Sequence, residues 1–105
     1  MSVIQANEGV VTQINVFTVA PEKQQALIEL LKEAAEFASE IPGWISANIH
    51  RSLDKTRVVN YAQSKDIESA QRIINALREA GWLDRNRALG EANPGLYEVV
   101  FTKEA

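Results

Sequence analysis

The sequence predicts an α+β domain in which strands and helices follow one another in the order β-α-β-β-α-β. Three observations carry this prediction. First, a β-branched run at 10–19 is followed by Pro21 and a stripe of apolar residues at helical spacing. Second, two strand-like segments, at 44–52 and 56–64, flank a short turn. Third, a second apolar stripe at helical spacing precedes a strand-like segment at 96–103. In this order, two helices cover one face of a four-stranded antiparallel sheet, which is the ferredoxin-like arrangement.

The first strand and the first helix have the clearest patterns. VVTQINVFTV, from Val10 to Val19, is rich in the β-branched residues that strands favour. Pro21 suits the first position of a helix, and Glu22 suits its positive end. Pro42 and Gly43 end this helix, because the residue before a proline avoids helical geometry. Between these limits, apolar residues three and four positions apart form one stripe: Leu27, Leu30, Leu31, Ala34, Ala38 and Ile41.

The middle of the chain predicts a β-hairpin. WISANIHRS (44–52) and TRVVNYAQS (56–64) have strand composition and are joined by a turn at Asp54 and Lys55. A two-residue turn fixes the opposed pairs by counting: Ile49 with Asn60, Ala47 with Ala62, and Ile45 with Ser64.

Alternation along this hairpin separates two faces of the sheet. The face expected to meet the helices is small and apolar apart from two polar residues; it carries Ile45, Ala47, Ile49, Val58, Asn60, Ala62 and Ser64. The opposite face includes Trp44 and His50. Because the first and last strands also place apolar residues on that opposite face, an uncovered sheet would expose a large apolar patch. The sequence therefore predicts a homodimer formed through this sheet face.

The second half of the chain completes the pattern. A helix is predicted from about Asp66 to Ala80, with Gly81 at its C-terminal end. WLDRNRAL (82–89) is predicted as a short helix or an ordered loop, and LYEVVFTK (96–103) is predicted as the last strand.

Composition restricts the classes of function. One domain over residues 1–105 is expected, with residues 1–8 as a loose arm. A net charge of −3 without a basic face argues against nucleic acid as a partner, and no apolar run has the length of a membrane helix. There is no cysteine and His50 is the sole histidine, so no metal site is expected. A cytoplasmic protein without a metal or a membrane partner is predicted.

Asn60 is the residue that most needs an explanation. It is an amide in the middle of a strand that should be buried, and a buried amide without a partner costs about 1–3 kcal/mol. Either Asn60 bonds to neighbouring main chain or a trapped water, or it lines a cavity and donates to a ligand oxygen. The small side chains of Ala47, Ala62 and Ser64 favour a cavity. Instead of lining a cavity, Ser64 could serve as a turn or capping group before the second helix.

PGW (42–44) followed by HRSLDKTRVVNYAQ (50–63) resembles the signature of the antibiotic biosynthesis monooxygenase family, and the likeness extends over roughly residues 10–102. The resemblance implies a dimeric α+β barrel. For the branch that oxidises anthrones, it implies a small aromatic substrate and O2 as partners, with no metal, flavin or haem. By the same resemblance, Asn60 is the catalytic residue, and its amide stabilises the substrate anion.

One position departs from that family pattern. The family typically follows NYAQ with a tryptophan, where this chain has Ser64. The predicted substrate-binding residues are Ser64, Asn15, Trp82 and Arg87. Trp82 either enters the cavity or packs the turn after the second helix, and Asn15 lies on either face of its strand. Arg87, like Arg85, either reaches the mouth of the pocket or forms a surface salt bridge.

Two classes of function therefore remain. The first is a cofactor-independent monooxygenase that oxidises an electron-rich aromatic compound of the anthrone or hydroquinone type. The second is a non-catalytic dimeric domain that binds a small ligand or has a regulatory role, which the serine at position 64 favours. Turnover that depends on Asn60 would separate the two.

Overall fold

A computed structural model describes residues 2–105 and shows the elements in the predicted order. Met1, the first residue of the predicted arm, lies outside the described residues. The strands and helices are β1 (Val11–Val19), α1 (Gln24–Ala38), β2 (Trp44–Arg51), β3 (Arg57–Ser64), α2 (Ile67–Glu79), α3 (Trp82–Leu89), β4 (Gly90–Glu91) and β5 (Pro94–Glu98). The segment 82–89, predicted as a helix or an ordered loop, is helix α3.

The strands form one antiparallel sheet in the order β2-β3-β1, with β4 and β5 both on the remaining edge of β1. β5 pairs with the first half of β1, and β4 pairs with its end, where Thr18 opposes Glu91. Between β4 and β5, the backbone of Asn93 exchanges two hydrogen bonds with that of Val16, of 3.1 and 3.2 Å. The prediction of an α+β, ferredoxin-like fold is confirmed. One correction is that two short strands, β4 and β5, take the place of the single fourth strand.

The core lies between α1 and the sheet. Its buried cluster consists of Phe17, Val19, Leu27, Ile28, Leu31 and Val58. Leu27 and Val58 are completely buried, and burial of each such side chain stabilises the fold by about 1.5–3 kcal/mol. The apolar stripe predicted for the first helix is therefore the face that meets the sheet. Pro21 begins a short 3-10 turn (Pro21–Lys23), and the α-helix proper starts after that turn.

The second helix begins where Asp66 caps it. The Asp66 side chain accepts a hydrogen bond of 2.8 Å from the backbone N–H of Ser69, which satisfies one of the free donors of the first turn. Gly81, with φ of 86°, separates α2 from α3. No helix in the part of the chain that the structure describes has the length and apolar character needed to cross a membrane.

The start of β2 departs from the predicted register. The pairs nearer the turn are confirmed: Ile49 with Asn60 and Ala47 with Ala62. A β-bulge between Trp44 and Ser46 then adds one residue to β2, so that Trp44 opposes Ser64. The prediction that Ile45 opposes Ser64 is wrong, because one inserted residue exchanges the two faces of a strand. Trp44 turns to the helix side, and Ile45 is left 45% exposed on the other side.

The last strand ends earlier than predicted. β5 covers Pro94–Glu98, whereas the sequence predicts 96–103. Its final residue opposes Val11, which is the first residue of β1. Beyond that point β1 offers no backbone groups for pairing, so residues 99–105 continue without strand structure.

Residues 2–8 form an arm without regular structure on the sheet face opposite the helices. The hydroxyl of Ser2 donates to Asn48 Oδ1 at 2.9 Å, and Gln63 Nε2 donates to the carbonyl oxygen of Val3 at 3.0 Å. Gln63 is buried there, with 3% of its surface exposed. The arm therefore covers part of the face that was predicted to meet a partner chain.

Side chains hold the turn between β2 and β3. Asp54 Oδ1 accepts hydrogen bonds from Thr56 Oγ1 (2.7 Å) and from the backbone N–H of Thr56 (3.0 Å). Ser52 Oγ accepts one from the backbone N–H of Arg57 at 2.8 Å. The hydrogen bonds to the Asp54 carboxylate, that of the Thr56 hydroxyl first, lower its pKa from 3.8 to about 2.

Replacing Asp54 with asparagine is expected to make the free energy of unfolding less dependent on acidic pH. A carboxyl group whose pKa is lowered in the folded state stabilises the fold above its unfolded pKa, and this contribution disappears as the pH falls through the folded value. Urea unfolding should therefore show wild type more stable than Asp54→Asn near neutral pH, with the difference vanishing between about pH 4 and pH 2.

The control for this experiment is Asp84→Asn. Asp84 is exposed on α3 and makes no side-chain hydrogen bond within residues 2–105. This variant should keep the wild-type pH profile. A stability difference between wild type and Asp54→Asn that stays constant from neutral pH to pH 2 would contradict the prediction.

Candidate active site

A cavity lies between the helices and the sheet, where the sheet carries small and polar side chains. This inner chamber has a volume of about 60 Å³. The residues of the sheet that line it are Gln13, Asn15, Phe17, Trp44, Ala47, Asn60, Ala62 and Ser64. Alanine, leucine and isoleucine side chains of the three helices close it from above. The small side chains of Ala47 and Ala62 leave this space, as the sequence predicts.

Two asparagines stand side by side on the floor of the inner chamber. Asn15 of β1 opposes Asn60 of β3, and both line the cavity. Asn15 Oδ1 accepts a hydrogen bond of 3.1 Å from the backbone N–H of Asn93, which fixes the orientation of its amide. Asn60 Oδ1 is buried and has no partner among residues 2–105. The main-chain bond considered for Asn60 is thus absent from the described residues, and its amide has hydrogen-bonding capacity left for a bound molecule.

Ser64 and Trp44 form the end of the inner chamber at the start of β2. Ser64 is buried and lines the cavity, while Asp66 makes the side-chain cap of α2. Trp44 lines the same cavity from the opposite strand, because the bulge turns it to the helix side. An indole therefore reaches the chamber from β2, although position 64 supplies none.

A second cavity, the outer chamber of about 230 Å³, adjoins the inner one. The two chambers share six lining residues: Gln13, Asn15, Phe17, Ile74, Leu83 and Asn86. Arg78 and Arg87 line the outer chamber but not the inner one. Both are exposed, and within residues 2–105 the one side-chain ion pair joins Lys32 to Glu29. The surface salt bridge considered for Arg87 is absent there, so its guanidinium can meet an anionic group at the chamber.

Trp82 lies outside both chambers. Its ring centroid is 6.1 Å from that of Phe37, and the guanidinium carbon of Arg85 is 3.8 Å from its ring centroid. Arg85 thus stacks on an aromatic ring, and within residues 2–105 it neither lines a chamber nor forms a salt bridge, the two alternatives considered for it. The structure does not bring Trp82 to the cavity, and a role for it in substrate binding stays a prediction. His50 is exposed on the sheet face away from Asn60.

Comparison with known proteins places this chain in a family. Residues 10–73 match the family model described as antibiotic biosynthesis monooxygenase. The chain is also 44% identical over 103 residues to the tetracenomycin-F1 monooxygenase of Streptomyces glaucescens, a match that covers 97% of this chain and 92% of that protein. This chain belongs to the antibiotic biosynthesis monooxygenase family.

Solved structures of the family have the same fold. SnoaB of Streptomyces nogalater, a cofactor-independent oxygenase, is 26% identical, with a TM-score of 0.77 over 90% of this chain and 96% of its own. The ActVA-Orf6 monooxygenase of Streptomyces coelicolor is 27% identical, with a TM-score of 0.81 over 93% of this chain and 94% of its own. These relatives identify this member of the antibiotic biosynthesis monooxygenase family as a cofactor-independent monooxygenase, and hence as an oxidoreductase.

The inner chamber of this monooxygenase is lined without ionisable side chains. Its polar lining consists of Gln13, Asn15, Trp44, Asn60, Ser64 and Asn86. Within residues 2–105, no group of three histidine, cysteine, aspartate or glutamate side chains is placed to hold a metal ion. The chamber thus offers amide hydrogen bonds and an apolar surrounding, and the outer chamber adds positive charge. It offers no carboxylate or imidazole as a general base.

Among the lining residues that carry a hydrogen-bonding or charged side chain, sequence reasoning missed four, namely Gln13, Trp44, Arg78 and Asn86. For Asn86 the signal is present in WLDRNRAL, because Leu83, Asn86 and Arg87 lie three and four positions apart and so share one helix face. For Trp44 no such signal exists, since its position depends on the bulge.

Proposed function

We propose that this monooxygenase oxidises an electron-rich aromatic compound of the anthrone or hydroquinone type with O2, and that Asn60 stabilises the substrate anion. The observation that carries the proposal is the amide of Asn60, whose Oδ1 is buried without a partner on a largely apolar chamber. The relative from Streptomyces glaucescens is named for tetracenomycin F1, and the Streptomyces coelicolor structure holds nanaomycin D. Both names support a small organic substrate here.

In this proposal Asn60 stabilises the negative charge of the substrate anion and does not itself transfer a proton. Loss of a proton from an anthrone or a hydroquinone leaves an anion whose charge lies largely on oxygen. An amide N–H of Asn60 donates to this oxygen, and rotation of the amide by half a turn brings its nitrogen to the position of the unpartnered atom. Apolar walls exclude water and lower the local dielectric constant, which strengthens this hydrogen bond.

The reaction balances without an external reductant. The substrate anion gives one electron to O2, and the resulting radical and superoxide combine to form a peroxide at carbon. After protonation the peroxide loses water together with the hydrogen left on the same carbon, so that the CH2 group of an anthrone, or a ring C–H carbon of a hydroquinone, becomes a carbonyl. One oxygen atom of O2 stays in the product and the other leaves in water. Because no ionisable side chain lines the inner chamber, the substrate proton passes to solvent through the outer chamber.

Three further residues bind the substrate in this proposal. Asn15 presents the free end of its amide beside Asn60, and Ser64 presents its hydroxyl at the far end of the inner chamber. Arg87 attracts the anionic form of the substrate at the outer chamber, since a guanidinium pairs well with a charged oxygen.

We also propose that two copies pair through the sheet face opposite the helices. Tyr97 lies on that face beside Thr12 and is 53% exposed, and Phe101 in the following segment is 75% exposed. Sedimentation equilibrium should give twice the chain mass of 11.7 kDa, and a mass of one chain at all concentrations would contradict the proposal.

Oxygen uptake tests the proposed reaction. Wild-type protein, freed of metals with a chelator and without added flavin, is mixed with anthrone and with a panel of dihydroxynaphthalenes. Uptake should exceed the autoxidation measured with heat-denatured protein. With ¹⁸O2, one labelled oxygen atom should enter the product.

The other outcomes assign other functions. No uptake across the panel by folded protein that binds these compounds would support the non-catalytic ligand-binding alternative. Uptake that appears only after a metal or flavin is added would contradict the cofactor-independent mechanism.

A further inference from the structure

Asn86 is a second buried amide without a partner at the same cavity. It is the one buried residue of α3, with 5% of its surface exposed, and its Oδ1 makes no hydrogen bond within residues 2–105. Asparagine is a poorer helix former than alanine or leucine, so helix stability does not account for it. A buried polar group that lacks a partner calls for a specific explanation, and a bound ligand is one.

The position of Asn86 is the junction of the two chambers. It lines both, whereas Asn60 lines the inner chamber alone. The inner chamber, at about 60 Å³, has room for only a few water molecules. An aromatic compound of two or more rings whose oxygen reaches Asn60 must therefore extend through the junction into the outer chamber. Any such compound passes the side chain of Asn86.

The unpartnered amides are confined to this cavity. Three buried side-chain atoms of the described residues lack a hydrogen-bond partner, namely Thr12 Oγ1, Asn60 Oδ1 and Asn86 Oδ1. Thr12 lines neither chamber and lies on the other face of the sheet, beside Tyr97. Two amides whose buried oxygen has no partner within residues 2–105 thus line one cavity, Asn60 in its inner part and Asn86 at its junction.

We infer that Asn86 binds a second oxygen substituent of the aromatic substrate, on the part of the ring system remote from the oxygen held by Asn60. This inference rests on the proposed function, since it takes Asn60 to hold the reacting oxygen. An amide accepts a hydrogen bond from a phenol and, after rotation, donates one to a carbonyl, so Asn86 suits either form. It is a specificity-determining residue that selects doubly oxygenated rings over singly oxygenated ones.

Anaerobic calorimetry tests this selection without turnover. Wild type and Asn86→Leu are titrated under nitrogen with 1-naphthol, which has one oxygen, and with 1,4- and 1,5-naphthalenediol, which have two. Wild type should bind the better diol about tenfold more tightly than 1-naphthol, as expected for one added hydrogen bond. Asn86→Leu should lose this difference while its affinity for 1-naphthol changes less than about twofold.

Two further variants make the result specific. Gln71→Leu removes an exposed amide of α2 that lines neither chamber and makes no side-chain hydrogen bond within residues 2–105, and it should bind as wild type does. If Asn86→Leu does not fold, Asn86→Ala takes its place, since alanine fits without overpacking. Equal affinity of wild type for naphthol and diols, a diol preference that survives in the Asn86 variant, or no binding of any of these ligands would overturn the inference. Oxygen uptake by wild type and by the same variants distinguishes failure of this inference from failure of the proposed reaction. If wild type binds diols selectively but does not oxidise them, the proposed reaction is contradicted and the role of Asn86 in binding is not.

Discussion

Asn60→Ala is expected to lower kcat for the proposed oxidation about 10²- to 10³-fold, the range found when one donor to a developing oxyanion is removed. The loss should fall mainly on kcat, because the amide bonds most strongly to the anion and less to the neutral substrate. Asn60→Asp should be at least as impaired, since a carboxylate repels the anion. Steady-state oxygen uptake at several substrate concentrations measures both parameters.

The same substitution should not destabilise the protein. Asn60 Oδ1 is buried without a partner within residues 2–105, so its removal breaks no hydrogen bond there. The free energy of unfolding of Asn60→Ala is expected within about 1 kcal/mol of wild type. Gln71→Ala, at an exposed position of α2, serves as the matched control and should keep full activity. A markedly unstable Asn60→Ala would show that the amide is structural, and an active one would remove it from the mechanism.

Gly43→Ala is the substitution expected to harm stability most. Gly43 has φ of 96°, which an L-residue adopts only with strain, and a Cβ at this position would overlap the side chain of Ser69. The carbonyl oxygen of Gly43 also accepts a hydrogen bond of 2.8 Å from the backbone N–H of Lys65, so the loop cannot move away freely. Strain and overlap together should lower the free energy of unfolding by roughly 2–5 kcal/mol, measured by urea unfolding.

Two comparisons separate the strain at Gly43 from the overlap. Gly81 has a similar φ of 86°, but a Cβ there would meet nothing within 4 Å. Gly81→Ala should therefore lose only the strain part, about 1–2 kcal/mol. In a Ser69→Gly background the overlap is relieved, and Gly43→Ala should become less harmful. Equal losses for Gly43→Ala and Gly81→Ala would show that contact with Ser69 does not matter.

Much of the fold follows from local pattern in the sequence. The apolar stripe of α1 and the alternation in β3 each report which side is buried, and both predicted the observed faces. Asn60 could be placed under the helices because its strand pairs regularly on both sides, so counting from the turn holds. These predictions depend on the periodic spacing of apolar residues, which can be seen in a single sequence.

The remaining features depend on contacts between distant segments. The bulge that turns Trp44 inward has no residue signature, because an extra residue in a strand looks like any other. The last strand stops at Glu98 because β1 begins at Val11, and beyond it the arm keeps a backbone hydrogen bond to the last segment, from the N–H of Asn7 to the carbonyl oxygen of Val99. The sequence after Glu98 still has the apolar character of a strand, although β1, the strand with which it would pair, does not extend that far.

The exchange of faces at the bulge gives the protein a built-in optical reporter. The chain has two tryptophans, and they occupy different surroundings. Trp44 lines the chamber where an aromatic ligand would quench its fluorescence, whereas Trp82 contacts Phe37 and Arg85 outside both chambers. In a Trp82→Phe variant the tryptophan emission comes from Trp44 alone, so its quenching should follow occupancy of the site without any attached dye.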